Sequence, residues 1–439
     1  MPMRMTPAHI RSTLHLSLKE MENDIGSFVK RPGRDFSRRR IGTFSDTIRS
    51  IMTMEAHSLN RELFEFYCHL KKEPLTKSAF IQNRAKLNSS AFPHLLKHFN
   101  SKIPFRKQYK GLHLIACDGT DSNIPADEED TLSFIPFNSN NGGYYQFHTT
   151  VMFDLLEKRY VDAVIQPRRE LHETDACCAM VDRNLFPDNC LFIADRGFLS
   201  YNVLAHIAES HHYFLIRAKN IDEARSPFRS CRLPSDDDCE ISCEFVLSRK
   251  RNTLQKRFPD KYKWLHPLRR FDFIPPGDKT STYTLFFRLV KLRLPDGSYE
   301  FLVSNLPKNT FSLDDLRFLY GMRWGVETSF RFLKFNLALN YFHSIKREFL
   351  IQEIFAKLIL YNLISLIVSC AGSPNNNARF SCCISFSDAI YKCRSFLLGR
   401  ISGAKLLVSL NRGITPVRPG RSFERKMRSQ CLKSLQNRT

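Results

Sequence analysis

Four polar side chains within residues 320–334 have the types and spacing of a group that could bind a metal ion beside phosphates. Tyr320, Arg323, Glu327 and Lys334 recur at helical spacing. At about 100° per residue they fall within a stripe roughly 60° wide and about 21 Å long, and apolar residues border it on both sides. A carboxylate between Arg and Lys stays ionised at neutral pH, so it can ligate a metal while its neighbours hold phosphates. A salt-bridged helix face remains the alternative.

Two aspartates upstream of the stripe stand where apolar strands are predicted to end. Asp118 follows the apolar residues 112–117, and Asp195 follows residues 191–194; a glycine comes soon after each. Aspartate is unfavourable in strands and costly near a core, so two such placements favour carboxylates held at one sheet edge. The alternative is that these aspartates only cap turns. Asp121 lies in the same predicted turn and competes with Asp118 for the role.

Residues 110–217 supply the elements that would position these acids. Short apolar runs alternate there with helical patterns, which predicts an α/β fold. Three strands in series are followed by two strand–helix units, the order of a ribonuclease H-like core: strands at 112–117, 144–153 and 158–165, a helix at 174–185, a strand at 191–194, a helix at 199–210 and a strand at 213–217. The wholly apolar strand 191–194 is typical of a central strand covered on both faces.

The remaining chain divides into an insertion and two helical flanks. Residues 218–310 are β-rich, and the Pro-Asp-Gly-Ser turn at 295–298 predicts a hairpin between strands 282–294 and 299–305. We therefore predict four units: a helical region (1–105), a ribonuclease H-like core (106–217 with 311–345), a β-rich insertion (218–310), and a helical C-terminal region with a basic tail without fixed structure (346–439).

A predicted helix over residues 76–87 carries side chains that can read DNA bases. It is expected to bury Phe80, Ile81 and Leu87 and to leave four polar residues available: Gln82, Asn83, Arg84 and Lys86. Asn and Gln pair with adenine and Arg with guanine in the major groove. Any solvated helix offers similar residues. The basic residues 30–40 are a phosphate-attracting loop or a solvated turn.

The composition narrows the function classes. Lys and Arg number 66 against 44 Asp and Glu, a net charge of +22, and 43% of residues are hydrophobic. This excludes a disordered basic chain and favours a polyanionic partner, either nucleic acid or an anionic membrane. The apolar residues 358–371 are interrupted by Asn362 and shorter than the roughly 18–20 residues of a membrane span, so we predict a buried core helix and no membrane partner. Thirteen scattered cysteines favour reduced thiols in a cytosol.

Three ordered motifs resemble those of a known family. Tyr-x2-Arg-x3-Glu-x6-Lys, starting at Tyr320, resembles the Tyr-Arg-Glu-Lys signature of bacterial insertion-sequence DDE transposases, specifically the insertion-sequence-four family with its Tn-five-like members. Asp118-Gly-Thr resembles the first acidic motif of that family, and Asp195-Arg-Gly-Phe resembles the second. Residues 76–87 are also similar to its DNA-binding helix, so the resemblance implies that residues 1–105 are a DNA-end-binding domain and that residues 106–217 with 311–345 are the catalytic core.

The resemblance implies a catalytic triad of Asp118, Asp195 and Glu327 that ligates two Mg²⁺ ions, with Mn²⁺ as a substitute. Water would cleave a phosphodiester at the transposon end, and the freed 3′-hydroxyl would attack the target. The resemblance also assigns DNA contacts to four residues of the stripe and its border: Tyr320, Arg323, Trp324 and Lys334. It gives Trp324 a stacking role on a flipped base, with core packing as the alternative.

The expected function is therefore a DNA transposase. Its expected substrates are double-stranded DNA at the terminal inverted repeats and target DNA. We expect the protein to act as a homodimer in a synaptic complex, in the prokaryotic cytosol at the nucleoid. Two alternatives remain: a structure-specific ribonuclease H-like nuclease, which cleaves without joining, and a catalytically silent, transposase-derived DNA-binding protein.

Overall fold

The structure is a computed structural model that describes residues 5–38, 42–137, 142–221, 223, 226–372 and 382–416. The predicted basic tail lies outside these residues from position 417 onward, as do Arg39 and Arg40 of the basic loop. The described fold is mixed α/β, as expected, with helices on both faces of one large sheet.

Thirteen α-helices are found in the described ranges. In chain order they are α1 (Pro7–Asn23), α2 (Phe44–Thr53), α3 (Leu59–His69), α4 (Lys77–Lys86), α5 (Ala91–Ser101), α6 (Glu173–Asp182), α7 (Tyr201–Glu209), α8 (Leu254–Arg257), α9 (Leu313–Met322), α10 (Trp324–Arg331), α11 (Arg347–Cys370), α12 (Phe386–Leu397) and α13 (Gly403–Arg412).

Twelve strands accompany them in the same ranges. They are β1 (His113–Ile124), β2 (Phe134–Pro136), β3 (Gly143–Asp154), β4 (Arg159–Pro167), β5 (Cys190–Ala194), β6 (Tyr213–Ala218), β7 (Cys239–Ser248), β8 (Tyr262–Trp264), β9 (Thr282–Arg293), β10 (Tyr299–Ser304), β11 (Cys382–Ile384) and β12 (Ile414–Pro416). All but β11 and β12 belong to one sheet.

The part of the sheet that carries the acids is ordered β4-β3-β1-β5-β6. Strand β3 is antiparallel to both β1 and β4, whereas β1, β5 and β6 are parallel. The prediction that the first strand ends at Cys117 is wrong, because β3 provides backbone partners for β1 as far as Ile124. Asp118 therefore lies inside β1, at the point where the parallel pairing with β5 stops.

The β-rich segment extends the same sheet. Strand β10 pairs with β6, and the order continues through β9 and β7 to β8. The predicted hairpin between β9 and β10 is confirmed, and Gly297 adopts the positive φ of +82° that its turn requires.

Two hydrophobic cores cover the two faces of the sheet. Alternate residues of β1 point to opposite cores: Leu114 and Ala116 pack towards α10 and α11, and Ile115 and Cys117 pack towards α6 and α7. The first core also contains buried residues of the N-terminal helices and of α12 and α13. The helical flanks and one sheet face therefore share a single core.

Helix α11 is the buried core helix predicted from the sequence. It is long and apolar enough to cross a membrane by length and composition, but 83% of its most apolar window is buried in the protein. It packs against α1, α2, α5, β4 and α12. These contacts explain its apolar composition without a lipid surface.

Helix α4 forms where predicted, and Phe80 and Leu87 are buried as expected, but the predictions for Ile81 and Arg84 are wrong. Ile81 is 38% exposed, whereas Arg84 is 2% exposed. The guanidinium of Arg84 donates to Glu353 Oε1 and Gln352 Oε1 on α11, each at 2.8 Å. The expectation that Arg84 is available to DNA is therefore wrong, because acceptors on α11, distant in sequence, neutralise and bury it.

The other residues expected to contact DNA keep different degrees of access. Gln82 is exposed, and Asn83 is half-buried with its amide donating to the Gly42 carbonyl oxygen at 3.2 Å. In the basic loop, Lys30 pairs with Glu348 and Arg31 with Asp35. Part of the charge of this loop is thus neutralised within the protein.

Candidate active site

Three carboxylates from three separate elements meet at one end of the parallel strands. Asp118 lies in β1, and Asp195 is the first residue after β5. Cys117 and Ala194 are paired across these strands, so the aspartates that follow them lie side by side. Glu327 comes from α10, which packs on β1. The structure therefore brings together the three predicted acids.

Arg323 and Tyr320 connect the acids. The Arg323 guanidinium lies 3.3 Å from Asp118 Oδ2 and 3.0 Å from Glu327 Oε1. The Tyr320 hydroxyl lies 3.5 Å from Asp195 Oδ1. The predicted helix is not continuous here: α9 ends at Met322 and α10 begins at Trp324, with Arg323 between them. Tyr320 and Arg323 are each about 95% buried, which places them in the interior of the site.

The electrostatics favour a cation among these acids. Burial raises the pKa of Asp118 to about 6, and the charges of Glu327 and Asp195 add to the increase, while the Gly119 backbone N–H and Arg323 oppose it. Although burial disfavours its charge, Tyr320, Asp118 and Glu327 raise the pKa of Arg323. Arg323 therefore stays positively charged between two acids that repel each other.

Lys334 and Trp324 lie at the border of the site. Lys334 belongs to a π-helical turn, Phe332–Asn336, and burial lowers its pKa while the charge of Asp121 opposes this. Trp324 is 53% exposed, and its ring lies 5.1 Å from the Arg323 guanidinium. The alternative that Trp324 packs in the core is wrong, because half of its surface faces solvent.

Several polar residues near the acids were not identified from the sequence. Glu300 of β10 lies near Asp195. Burial raises the pKa of Glu300, and the charge of Asp195 adds to this effect. Arg217 of β6 lies 3.4 Å from the Glu300 carboxylate. On the other face of the sheet, His148 of β3 and Glu173 of α6 pack behind Gly119. The pairing of the strands and the packing of α6 reveal these neighbours, since no sequence motif joins them to the acids.

The donor set fits a hard divalent metal ion. Asp118, Asp195 and Glu327 offer only carboxylate oxygens, which Mg²⁺ and Mn²⁺ prefer over the nitrogen and sulfur donors favoured by zinc. Within the described ranges, no three His, Cys, Asp or Glu side chains are arranged so as to hold a metal ion. In this arrangement the Arg323 guanidinium contacts both Asp118 and Glu327.

The polar residues of α4 do not belong to this cluster. The hydrogen-bond partners described for Asn83 and Arg84 lie at Gly42, Lys86 and α11. The site thus contains Tyr320, Arg323 and the three acids, with Lys334 and Trp324 beside it.

Comparison with known proteins identifies the family. Residues 110–363, more than half of the chain, match the family described as Transposase DDE domain. The chain is also similar to a piggyBac transposase, solved by cryo-EM as a synaptic complex with hairpin DNA, with 11% identity, 94% of this chain and 84% of that chain covered, and a TM-score of 0.45. No curated protein matches the sequence.

The family match spans β1, β5 and α10, so it includes all three acids described above. Enzymes of this family use divalent metal ions, which agrees with the all-carboxylate donor set. The chain belongs to the transposase DDE domain family and is a DNA transposase, a metal-dependent enzyme that cleaves DNA and transfers its strands.

Proposed function

We propose that the chain is a bacterial insertion-sequence transposase of the insertion-sequence-four, Tn-five-like type. The observation that carries this proposal is the link from Arg323 to both Asp118 and Glu327, with Tyr320 beside Asp195. Through these contacts the Tyr, Arg and Glu of the proposed signature form one cluster with Asp118 and Asp195. The strand order β4-β3-β1-β5-β6 likewise supports a ribonuclease H-like catalytic core.

Asp118, Asp195 and Glu327 would hold two Mg²⁺ ions, with Mn²⁺ as a substitute. When bound, these ions would activate the attacking oxygen and stabilise the leaving oxygen in cleavage and in strand transfer. The acids must be ionised for this role, and the charge of Arg323 opposes the rise in the pKa of Asp118 that burial causes. All three acids are half-buried, so each keeps a solvent-accessible part that a metal ion and a DNA phosphate could approach.

The neighbouring residues would orient the DNA. Arg323 carries its positive charge between Asp118 and Glu327, and Lys334 follows in the π-helical turn after α10; both would contact phosphate oxygens of the DNA. Trp324 presents an exposed ring next to Arg323, a suitable platform for a base displaced from the duplex. Gln82 and the exposed face of α4 remain candidates for reading the end sequence, whereas Arg84 has a structural role.

The proposed substrates are double-stranded transposon ends with inverted repeats and a target duplex, brought together by a homodimer in the prokaryotic cytosol. In this proposal residues 1–105 bind the ends, residues 106–217 and 311–345 catalyse, residues 218–310 form an insertion, and residues 346–439 complete the helical region.

The test is Mg²⁺-dependent nicking and joining of a labelled end with the full-length protein. Asp195→Asn and Glu327→Gln should each abolish nicking and strand transfer while end binding in a gel shift persists. Substantial cleavage by either variant would refute the assignment of that acid. Wild-type nicking without any joined product would instead favour the structure-specific nuclease.

A further inference from the structure

Three titratable side chains contact one another directly behind the catalytic strand. His148 Nδ1 lies 2.6 Å from Asp121 Oδ1, and His148 Nε2 lies 3.0 Å from Glu173 Oε1. The His148 side chain is 6% exposed. We refer to Asp121, His148 and Glu173 as the rear triad. The chemistry proposed above does not use them.

The rear triad lies on the opposite face of the sheet from the acids. Leu114 and Ala116 pack towards α10, and the alternation of β1 places Asp118 on their face. Ile115 and Cys117 pack towards α6 and α7, which places Gly119 and Asp121 on the other face. The side chains of the rear triad therefore lie against the backbone of the strands that carry the acids, and not against the acids themselves.

The two glycines that follow the catalytic aspartates border the rear triad. A Cβ atom at Gly119 would lie 2.2 Å from His148 Nε2 and 2.7 Å from Glu173 Oε1. A Cβ atom at Gly197 would lie 3.7 Å from Glu173 Oε2. The two carboxylate oxygens of Glu173 thus face the backbone next to Asp118 and the turn after Asp195, respectively.

Charge ties the rear triad together and to the signature lysine. His148 lies between two carboxylates, which raise its pKa although burial opposes its charge. Asp121 faces Arg168 at 3.7 Å as well as His148. Although burial opposes it, the contact with His148 and the charges of Arg168 and Lys334 lower the pKa of Asp121.

We propose that Asp121, His148 and Glu173 are positioning residues that set the separation of Asp118 and Asp195 from behind the sheet. This inference rests on the proposed role of those aspartates as the metal-binding acids. Outer residues that orient metal ligands typically change metal affinity or activity by 10–100-fold when mutated, and small displacements of reacting groups have effects of similar size.

The experiment uses the full-length protein with His148→Ala, Glu173→Ala and the conservative His148→Gln and Glu173→Gln. Two quantities are measured per folded molecule: Mn²⁺ affinity without DNA by electron paramagnetic resonance, and the nicking rate at saturating end DNA. We expect both alanine variants to lose about 10–100-fold in Mn²⁺ affinity and nicking rate, with unchanged DNA affinity. The conservative variants should recover part of the loss, and the double alanine variant should be no worse than either single variant.

A matched control lies in the same helical layer. His206 of α7 contacts Asp182 at 2.7 Å and Asp272 at 3.0 Å and is 10% exposed, but it does not border the glycine turns. His206→Ala should lower the melting temperature and leave Mn²⁺ affinity and nicking rate unchanged. A positioning role is refuted if His148→Ala behaves as His206→Ala does, with stability lost and both functional quantities retained.

Asp118→Asn separates this inference from the proposed function. If Asp118→Asn retains Mn²⁺ binding and nicking, the acids themselves are wrongly assigned. If Asp118→Asn loses both while His148→Ala and Glu173→Ala keep both, the acids are correct and only the positioning role fails. If the alanine variants do not fold, the glutamine variants decide the question: an unchanged nicking rate and an unchanged Mn²⁺ affinity in both His148→Gln and Glu173→Gln would refute the positioning role.

Discussion

Neutralising Asp118 should make the metal-free protein more stable while it abolishes catalysis. Burial raises the pKa of Asp118 to about 6 from an ordinary value of 3.8, with Glu327 and Asp195 adding to the effect. Because the folded-state pKa is the higher one, the ionised carboxylate destabilises the folded protein. The penalty is absent below about pH 4 and is fully present above about pH 6.

The size of the effect follows from that pKa. The difference between about 6 and 3.8 corresponds to about 3 kcal/mol in favour of the neutral form. Asn is close in shape to Asp, and its side-chain oxygen can still accept the Gly119 backbone N–H, a contact of 2.8 Å in the wild type. At pH 8 with EDTA, Asp118→Asn should therefore unfold with a free energy up to about 3 kcal/mol higher than wild type.

Thermal melts with and without Mg²⁺, beside a nicking assay, test this prediction. Mg²⁺ should raise the melting temperature of the wild type, since a ligand that binds only the folded state stabilises it, and should have a much smaller effect on Asp118→Asn. Asp236→Asn, at an exposed position, should change neither stability nor nicking. The reasoning is refuted if Asp118→Asn melts below wild type in EDTA at pH 8, or if Mg²⁺ raises both melting temperatures equally.

Three further variants test other parts of the structure. Arg84→Ala should lower the unfolding free energy by about 3–5 kcal/mol, because Glu353 would be left buried without its arginine partner. Gln82→Ala, at an exposed position of the same helix, should change the unfolding free energy by less than about 0.5 kcal/mol, and urea unfolding of both variants compares these values. Trp324→Ala should change stability by only about 1 kcal/mol and stall the reaction after the first nick, as seen on a stepwise cleavage gel; uniform loss at every step would argue against a base platform. Burial lowers the pKa of Lys357 to about 7, so wild-type stability should rise between about pH 7 and pH 10, and Lys357→Met should remove that rise in a pH series of unfolding curves.

Local sequence signals predicted most of the elements around the site. The hairpin of β9 and β10 was predicted from a Pro-Asp-Gly turn, and β5 from a short apolar run before Asp195. Helix α10 follows the spacing of the polar stripe. Such signals depend on residues close in sequence. They can therefore identify a helix or strand and the acidic residue that lies in it or directly after it.

The errors concern contacts between distant parts of the chain. The length of β1 depends on β3, the burial of Arg84 depends on α11, and the contact of His148 with Glu173 depends on how α6 packs behind β1. The polar character of Arg84 predicts an exposed side chain, and nothing near it in sequence reveals Glu353. The interruption at Arg323 was also missed, since the helical period continues across it.

The ion pair between α4 and α11 also constrains the order of events during synthesis. Arg84 and Glu353 are separated by 269 positions, and at roughly 5–20 residues per second the ribosome needs about 10–50 s to reach the second after the first. During that time the N-terminal helices lack the apolar surface of α11 that completes their core. A shortened product that stops before α11 would leave exposed the apolar faces of α1, α2 and α5 that α11 covers, so we expect such a product to be less stable and more prone to aggregate than the full chain.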